Sequence, residues 1–322
     1  MVERRACVVD PAWPMLCAMN FQQLRALRET VRRGLNLTSA AQTLHTSQPA
    51  LSKQIRELED ELGVTLFVRH GKKFTALTEA GQRILVIAER VLAETDNLRR
   101  AGAEYASGDS GTLSIAATHT QARYALPAVL SRFRAEYPRM RLRLHQGYPR
   151  QVAAMVEHGE ATFGLATEAL DAHPSLVTRP AYGWRHCLVV PHGHALAAGL
   201  PDLETLAAHP LITYTPEFAG RRNIDHAFAA RGLVPDIVLE AIDSDVIKTY
   251  VALGFGVGVI ADIAFDAARD RELARVELPA SMPGNTAKLA MRVGAFLRGF
   301  EQRFVELVTE ADAPERGAKR AA

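Results

Sequence analysis

Ser39 to Arg69 reads SAAQTLHTSQPALSKQIRELEDELGVTLFVR, and the order of residue types in it sets the N-terminal fold. Thr38 or Ser39 is placed to cap a short helix running to Leu44, with Ala40, Ala41 and Leu44 facing inward. His45 and Thr46 make a turn. Ser47 then caps a longer helix, with Pro49 in its first turn, where a missing amide hydrogen is harmless. Leu51, Ile55, Leu58 and Leu62 recur at helical spacing as its buried stripe, and Gly63 ends it. With that stripe inward, Gln48, Ser52, Lys53 and Arg56 face outward. Two helices joined by a tight turn, the second opening on Ser47, Gln48, Pro49, Ser52 and Lys53, form the arrangement that enters a DNA major groove. Gln pairs with adenine edges, Lys with guanine, and Ser with bases or phosphate.

On either side the pattern extends the same domain. Phe21, Leu24, Leu27 and Val31 lie at helical spacing. Thr65 to Phe74, TLFVRHGKKF, predicts a hairpin turning at Gly71, with Arg69, Lys72 and Lys73 around it as a basic wing for backbone contacts. Met19 to Glu79 carries nine Lys/Arg against six Asp/Glu, and most of the acids (Glu57, Glu59, Asp60, Glu61) sit at the far end of the third helix. The groove-facing end is therefore positive. These features predict a winged helix-turn-helix over residues 19–77, with the helix-turn-helix at about 37–56. Residues 78–106 predict a long helix capped by Thr78. Ile84, Ile87, Val91 and Leu98 lie near a heptad seam, which suits dimerisation. SGDSG, Ser107 to Gly111, breaks the helix as a hinge.

The chain has 322 residues, enough for two or three domains. Its formal charge of +2 argues for no partner by itself, so charge is read locally. No apolar run reaches the roughly 18 residues needed to span a bilayer. Residues 1–18 are interrupted by Asp10, Pro11 and Pro14, and read as a disordered extension with Met19 opening the folded protein. A cytoplasmic chain follows. Cys7, Cys17 and Cys187 show no metal-ligand spacing, and Cys187 in HCLVV reads as a small core residue.

Beyond Gly111, strand and helix patterns alternate: TLSIAAT, a helix from Gln121 to Tyr137, MRLRLHQ, a helix from Pro149 to His158, then ATFGLAT. That alternation predicts a parallel α/β sheet. Residues 112–182 with 284–308 form one expected lobe and 183–283 a second, with a disordered tail at 309–322. Ligands on such folds sit at the carboxyl ends of strands, near helix starts. Thr118, His119, Thr120 and Gln121 occupy one such junction, and Thr167 ends another strand. Helix-start amides favour an anion there, and threonine hydroxyls add donors without charge. His119 and His145 lie in different elements with no metal spacing. GFGVG, Gly254 to Gly258, leads into a strand, unlike a dinucleotide fingerprint. Asp243 and Asp245 open the helix DSDVIKTYVAL as cap and dipole partner. No nucleophile, base and orienter come together, so neither a catalytic residue, a metal site nor a cofactor is expected, and the chain does not read as an enzyme.

Phe21 to Arg69, with TSQPALSKQIRELEDELGVTLFVR, resembles the winged helix-turn-helix of LysR-type transcriptional regulators, and the likeness runs from about Met19 to Val308. ATHTQARYALP (Ala117 to Pro127), LATEAL, PLITYTPEFAGR and DSDVIKTYVALGFGVGVIA resemble the CysB-type subgroup, which governs cysteine synthesis and sulfur-source use. The resemblance implies an α/β protein with an N-terminal winged helix-turn-helix and a long linker helix. That helix leads to a two-lobed effector domain like the periplasmic binding proteins. It implies a homotetramer on promoter DNA that recruits RNA polymerase when a small effector binds, without a membrane. The implied effectors are acetylserine, sulfate, thiosulfate or adenylyl sulfate, and the implied output is activation of cysteine-biosynthesis or sulfur-assimilation genes. It places Thr118, Thr120, Gln121 and Thr167 in the effector pocket, with a loop that commonly reads Phe-Thr-Gly-Arg. Here that loop is Phe218-Ala219-Gly220-Arg221, one hydroxyl fewer, and a hydrogen bond to a charged group is worth roughly 1.5–3 kcal/mol. Two rivals remain open: a LysR-type regulator for an aromatic or carboxylate effector, and a non-regulatory solute-binding protein.

Overall fold

The structure is a computed structural model and describes residues 19–71, 73–107, 110–167 and 169–310. The extension expected at 1–18, Lys72, two of the hinge positions (Gly108 and Asp109) and the tail from residue 311 lie outside the described residues. The chain forms two compact units, one up to Gly102 and one from Ala103.

In the first unit, α1 (Phe21–Arg32) starts at Asn20, whose side chain accepts from the Gln22 and Gln23 amides while Gln23 returns a bond to the Asn20 amide. α2 (Leu37–Thr43) is capped by Asn36, not by Thr38 or Ser39. The Asn36 side-chain oxygen accepts from the amides of those two residues at 3.1 and 3.0 Å. α3 (Gln48–Leu62) opens at Ser47, which accepts from the Ala50 amide, and ends at Gly63 in the left-handed conformation, φ 66°. Leu51, Ile55 and Leu58 are fully buried with Ala26, Leu27 and Ala40.

Leu62, expected in the buried stripe, is exposed, and the buried position near it belongs to Glu59. Its carboxylate accepts from the backbone amides of Leu66 (2.8 Å) and Phe67 (3.3 Å) and pairs with Arg69. One member of the acidic cluster at the end of α3 thereby fixes where the wing leaves it. The wing is β1 (Phe67–His70) paired antiparallel with β2 (Lys73–Leu77), its two phenylalanines, Phe67 and Phe74, stacked at 4.4 Å. Thr78 accepts from the Gly81 amide at 2.9 Å and so caps α4 (Glu79–Ser107). Ala88 and Leu92 of α4 join the unit's core, whereas Ile87, Val91 and Leu98 are exposed along it.

The second unit holds two five-stranded sheets, each sandwiched between helices. The first has strand order β4-β3-β5-β12-β6: β3 (Thr112–Ala117), β4 (Arg141–Gln146), β5 (Phe163–Thr167), β6 (Leu176–Trp184) and β12 (Asn285–Arg292). α5 (Leu126–Glu136) and α10 (Gly299–Thr309) cover one face around Phe133, Phe163 and Phe304, and α6 (Pro149–Glu157) covers the other. The second sheet has order β11-β7-β10-β8-β9: β7 (His186–Pro191), β8 (Leu211–Tyr214), β9 (Ile237–Ala241), β10 (Val257–Ala261) and β11 (Leu273–Glu277). α7 (Leu203–Ala207) and α8 (Ala219–Ala229) pack on one side, α9 (Ser244–Ala252) on the other.

Three details differ from the sequence reading. The sheets are mixed rather than parallel: β12 returns antiparallel between β5 and β6 in the first, and β7 runs antiparallel to β10 and β11 in the second. The first lobe extends to Trp184, not to residue 182, since Trp184 pairs with Asn285 and packs in the first core. The helix expected from Gln121 begins as a π-helical turn, Gln121–Ala125, before α5. Pro127 has no amide hydrogen to donate into that turn, and the Leu126 amide bonds Gln121 O instead. The Gly254-Phe255-Gly256 turn joins α9 to β10; a side chain on Gly256 would meet Pro210 O at 2.4 Å, which excludes any larger residue.

Glu59→Ala strips the carboxylate from two buried amides, so the first unit is expected to lose about 2–3 kcal/mol. Chemical denaturation followed by the loss of DNA binding measures it, and a loss below about 0.5 kcal/mol refutes the anchoring role.

Candidate functional site

The first candidate surface is the start of α3. Ser47, Gln48, Pro49, Lys53 and Arg56 are exposed and Ser52 is half-buried, so the helix presents hydrogen-bonding and cationic groups outward over its first three turns. Lys53 lies 3.5 Å from Glu57, one turn on, and remains accessible. Lys73 is exposed on the wing. Arg69 is different. Its guanidinium pairs with Glu59 and lies 5.0 Å over the Phe74 ring, which makes it part of the wing's frame rather than a free backbone contact.

The second candidate is a cleft of about 400 Å³ between the two sheets of the second unit. Its wall on the first lobe is Thr118, Thr120, Gln121, Pro149 and Thr167; on the second it is Tyr214, Phe218, Gly220 and Ala261, with Trp184 at the crossing. Every strand that contributes does so at or just beyond its carboxyl end: β3, β5, β6, β8 and β10. Thr118, Thr120, Gln121, Thr167 and Gly220 are therefore brought together. Gln121 is buried and its side-chain oxygen is without a partner among the described residues. The Trp184 indole donates to Thr167 Oγ1 at 3.3 Å. α8 opens from Phe218 with no side-chain cap; the Arg221 amide bonds Phe218 O at 3.1 Å, and the Ala219 and Gly220 amides have no partner among the described residues, which leaves those two for a ligand. Tyr148, Phe218 and Tyr214 form an aromatic rim, with ring centres 5.7 and 6.0 Å apart. No lining residue is ionised.

Arg221 does not join the cleft. Its buried guanidinium pairs with Asp225 (2.8 Å) and Glu240 (2.5 Å) and donates to Tyr214 O (2.8 Å), so it anchors the start of α8 to β8 and β9. Arg222 is exposed. Ala219 is the first residue of α8, and its side chain lies outside what the structure describes. Trp184, Tyr214, Phe218, Pro149 and Ala261 were missed by the sequence reading. The carboxyl ends of LITY and VGVIA were the available signal for two of them, had the strand-end rule been applied beyond the first lobe.

Behind Gly220 stands His186, buried, its ring edge-on to Trp184 at 5.0 Å. A side chain on Gly220 would come within 3.0 Å of both His186 Nε2 and Trp184, so those rings would have to give by a few tenths of an ångström to admit one. Burial holds the His186 pKa down at about 3, and the ring is neutral at physiological pH. Cys187 beside it is fully buried and its thiol is pushed up to about 12 by that burial, which leaves it unreactive. His119, Asp243 and Asp245 bring three ligand-type atoms within 4.8 Å of one another. Arg123 and Lys248 already neutralise Asp245, so the trio suits a cation poorly.

Two family profiles match the chain. Residues 21–82 match the bacterial regulatory helix-turn-helix of the LysR family, and residues 106–313 match the LysR substrate binding domain. The chain belongs to the LysR family of transcriptional regulators. As a LysR-family protein it is 52% identical over 292 residues to the HTH-type transcriptional regulator CysB of Burkholderia cenocepacia, covering 90% of this chain and 93% of that one. It is 50% identical to the regulator SsuR of the same organism, covering 90% and 94%. The crystal structure of the cofactor-binding domain of the Cbl transcriptional regulator superposes with a TM-score of 0.60 at 46% identity, covering 63% of this chain and 89% of that one. DNA-binding regulation of transcription is thus established for the family to which this chain belongs. Among the described residues no helix is long and apolar enough to cross a membrane.

The buried neutral histidine sets an acid-side prediction. Between pH 6.5 and 3 the unfolded chain takes up a proton that folded His186 refuses, so its contribution to stability is complete above pH 6.5 and is lost as pH falls. The loss is at most about 1.4 kcal/mol per pH unit. In urea unfolding at pH 7, 6 and 5, His186→Gln is expected to lose stability less steeply than wild type. Parallel slopes would show that the histidine is charged in the folded chain.

Proposed function

We propose that this LysR-family regulator reads promoter DNA with the start of α3 and the wing, and that a small oxyanion of sulfur metabolism in the cleft switches it. The favoured effectors are acetylserine, sulfate, thiosulfate and adenylyl sulfate. The favoured output is activation of cysteine-biosynthesis or sulfur-assimilation genes, through recruitment of RNA polymerase. One observation carries the effector reading: the cleft gathers three threonine hydroxyls, a glutamine and the uncapped start of α8 without a charged side chain. Neutral donors aimed inward bind an anion without competing protonation, and the helix start adds its dipole. The likeness to CysB and SsuR supports a sulfur-linked regulon. A DNA-binding role places the chain in the cytoplasm. The exposed Ile87, Val91 and Leu98 of α4 support self-association, with the tetramer as the proposed assembly.

A second reading keeps the regulator and changes the effector to an aromatic acid, because Trp184, Tyr214 and Phe218 give the cleft aromatic walls. A thermal-shift titration of the full chain separates the two. The panel is acetylserine, sulfate, thiosulfate, adenylyl sulfate and several aromatic acids. A ligand selective for the folded state raises the melting temperature with concentration. Stabilisation by a sulfur metabolite is expected; stabilisation by aromatic acids alone would sink the oxyanion reading.

Two substitutions test the residues. Thr120→Val is expected to weaken the effector response and spare binding to promoter DNA; loss of both would mean misfolding. Gln48→Ala is expected to reduce discrimination between specific and random sites by about 1–3 kcal/mol in a competition binding assay. Full retention of site preference would remove α3 from the recognition role.

A further inference from the structure

Beside the cleft, a tyrosine of the first lobe is gripped by the second. Tyr124, on the π-helical turn, donates its hydroxyl to Asp245 Oδ1 at 2.7 Å and accepts from Lys248 Nζ at 3.2 Å. Both partners lie on α9, and the Tyr124 ring packs against the second lobe's core. Arg123, the preceding residue, adds an ion pair to Asp245 at 2.5 Å, and His119 Nε2 stands 3.7 Å from the same carboxylate. Lys248 is held on its own lobe by Asp270 (3.0 Å) and by Ala264 O (2.8 Å). Burial by itself pushes the Asp245 carboxyl up. The bond from Tyr124 and the charges of Lys248 and Arg123 outweigh it and hold the group below the usual aspartate range.

These residues connect the two walls of the cleft. Gln121, a wall residue, opens the turn that carries Tyr124 three residues later. On the other wall, Tyr214 shares a 2.7 Å hydrogen bond with Ser244, the first residue of α9 and the neighbour of Asp245. A continuous path of bonded groups, Gln121 to Tyr124 to Asp245 to Ser244 to Tyr214, therefore runs behind the ligand space. A π-helical turn is uncommon and is found frequently at functional sites. Here the side chain it presents, Tyr124, finds its partners on the opposite lobe.

We propose that Tyr124 and Asp245 form a clasp between the lobes that positions Thr120 and Gln121 for the bound oxyanion, so that clasp and occupancy control each other. The proposal rests on the oxyanion reading of the cleft. Tyr124 and Asp245 are positioning residues: neither lines the cleft, and both act through residues that do. Reciprocity follows from linkage, since a ligand that favours the clasped arrangement must itself be bound more tightly by it.

The test uses the full chain, with Tyr124→Phe, Asp245→Asn and the double variant. Two readouts are taken. One is sulfate affinity by calorimetry. The other is the interlobe distance from spin labels at Glu160→Cys and Val234→Cys, both exposed, with Cys7 and Cys17 replaced by serine. Each single variant is expected to weaken sulfate at least about fivefold, the low end of ordinary coupling. The double variant is expected to lose no more than the worse single one. The unliganded distance distribution is expected to broaden in the variants, while their unliganded melting temperature stays within about 2–4 °C of wild type. If sulfate binds wild type and either readout is unmoved in both single variants, the clasp is wrong. If wild type binds no sulfate but the distances broaden, the oxyanion reading fails and the interlobe clasp survives. Absence of both effects removes the two together.

Discussion

Trp184 and Asn285 face each other at the last rung of the first sheet, and one residue past Trp184 the chain has left for the second lobe. It comes back between Glu277 and Asn285. Two crossings side by side leave the lobes joined along one edge and parted along the other, and the space between them becomes the cleft. Everything that lines it depends on that constraint. The parallel strands of each sheet run their carboxyl ends toward the crossing, so the loops after β3, β5, β8 and β10 converge on one volume from two directions.

The chemistry of that volume follows from what is left out of it. Arg221 sits close enough to the cleft to have been a natural ligand for an anion, yet Asp225, Glu240 and a backbone carbonyl use up its donors. Arg123 and Lys248 are committed to Asp245 in the same way. What remains are hydroxyls, an amide, an indole and a helix start, all neutral. Neutral donors discriminate by geometry more than by charge. The pairs that neutralise the nearby cations also join β8 to β9 and the first lobe to the second, so electrostatic balance and mechanical coupling come from the same side chains.

The first unit repeats this economy on a smaller scale. Glu59 caps two amides and pairs with Arg69, and Arg69 in turn covers Phe74. The acid holds the wing against α3, and the exposed start of α3 is left to Ser47, Gln48 and Lys53. By residue type, the like-signed run of acids at the far end of α3 gives no reason to single out any member. One member of it is a structural anchor, and only contact with β1 distinguishes it from Glu57 or Asp60.

Local patterns in the sequence were enough for the helix-turn-helix, the wing, the α/β alternation and the placing of Thr118, Thr120, Gln121 and Thr167 at strand ends; their grouping in one pocket came from the family resemblance. Caps, turns and hydrophobic periodicity act within a few residues of themselves, and strand ends mark binding loops wherever the sheet is placed. Tertiary structure alone decided which charged residues are free. Arg69 and Arg221 changed roles, and Glu59 gained an anchoring one, because partners that decide them lie as far as 19 residues away in sequence, across a turn or a sheet. It also decided the antiparallel return of β12, the π-helical start before Pro127 and the meeting of Tyr124 with Asp245, 121 residues apart. The physical reason is common to all of these. Hydrogen bonds and ion pairs between distant side chains are chosen by what packing brings within 3 Å, and no spacing rule along the chain encodes that distance.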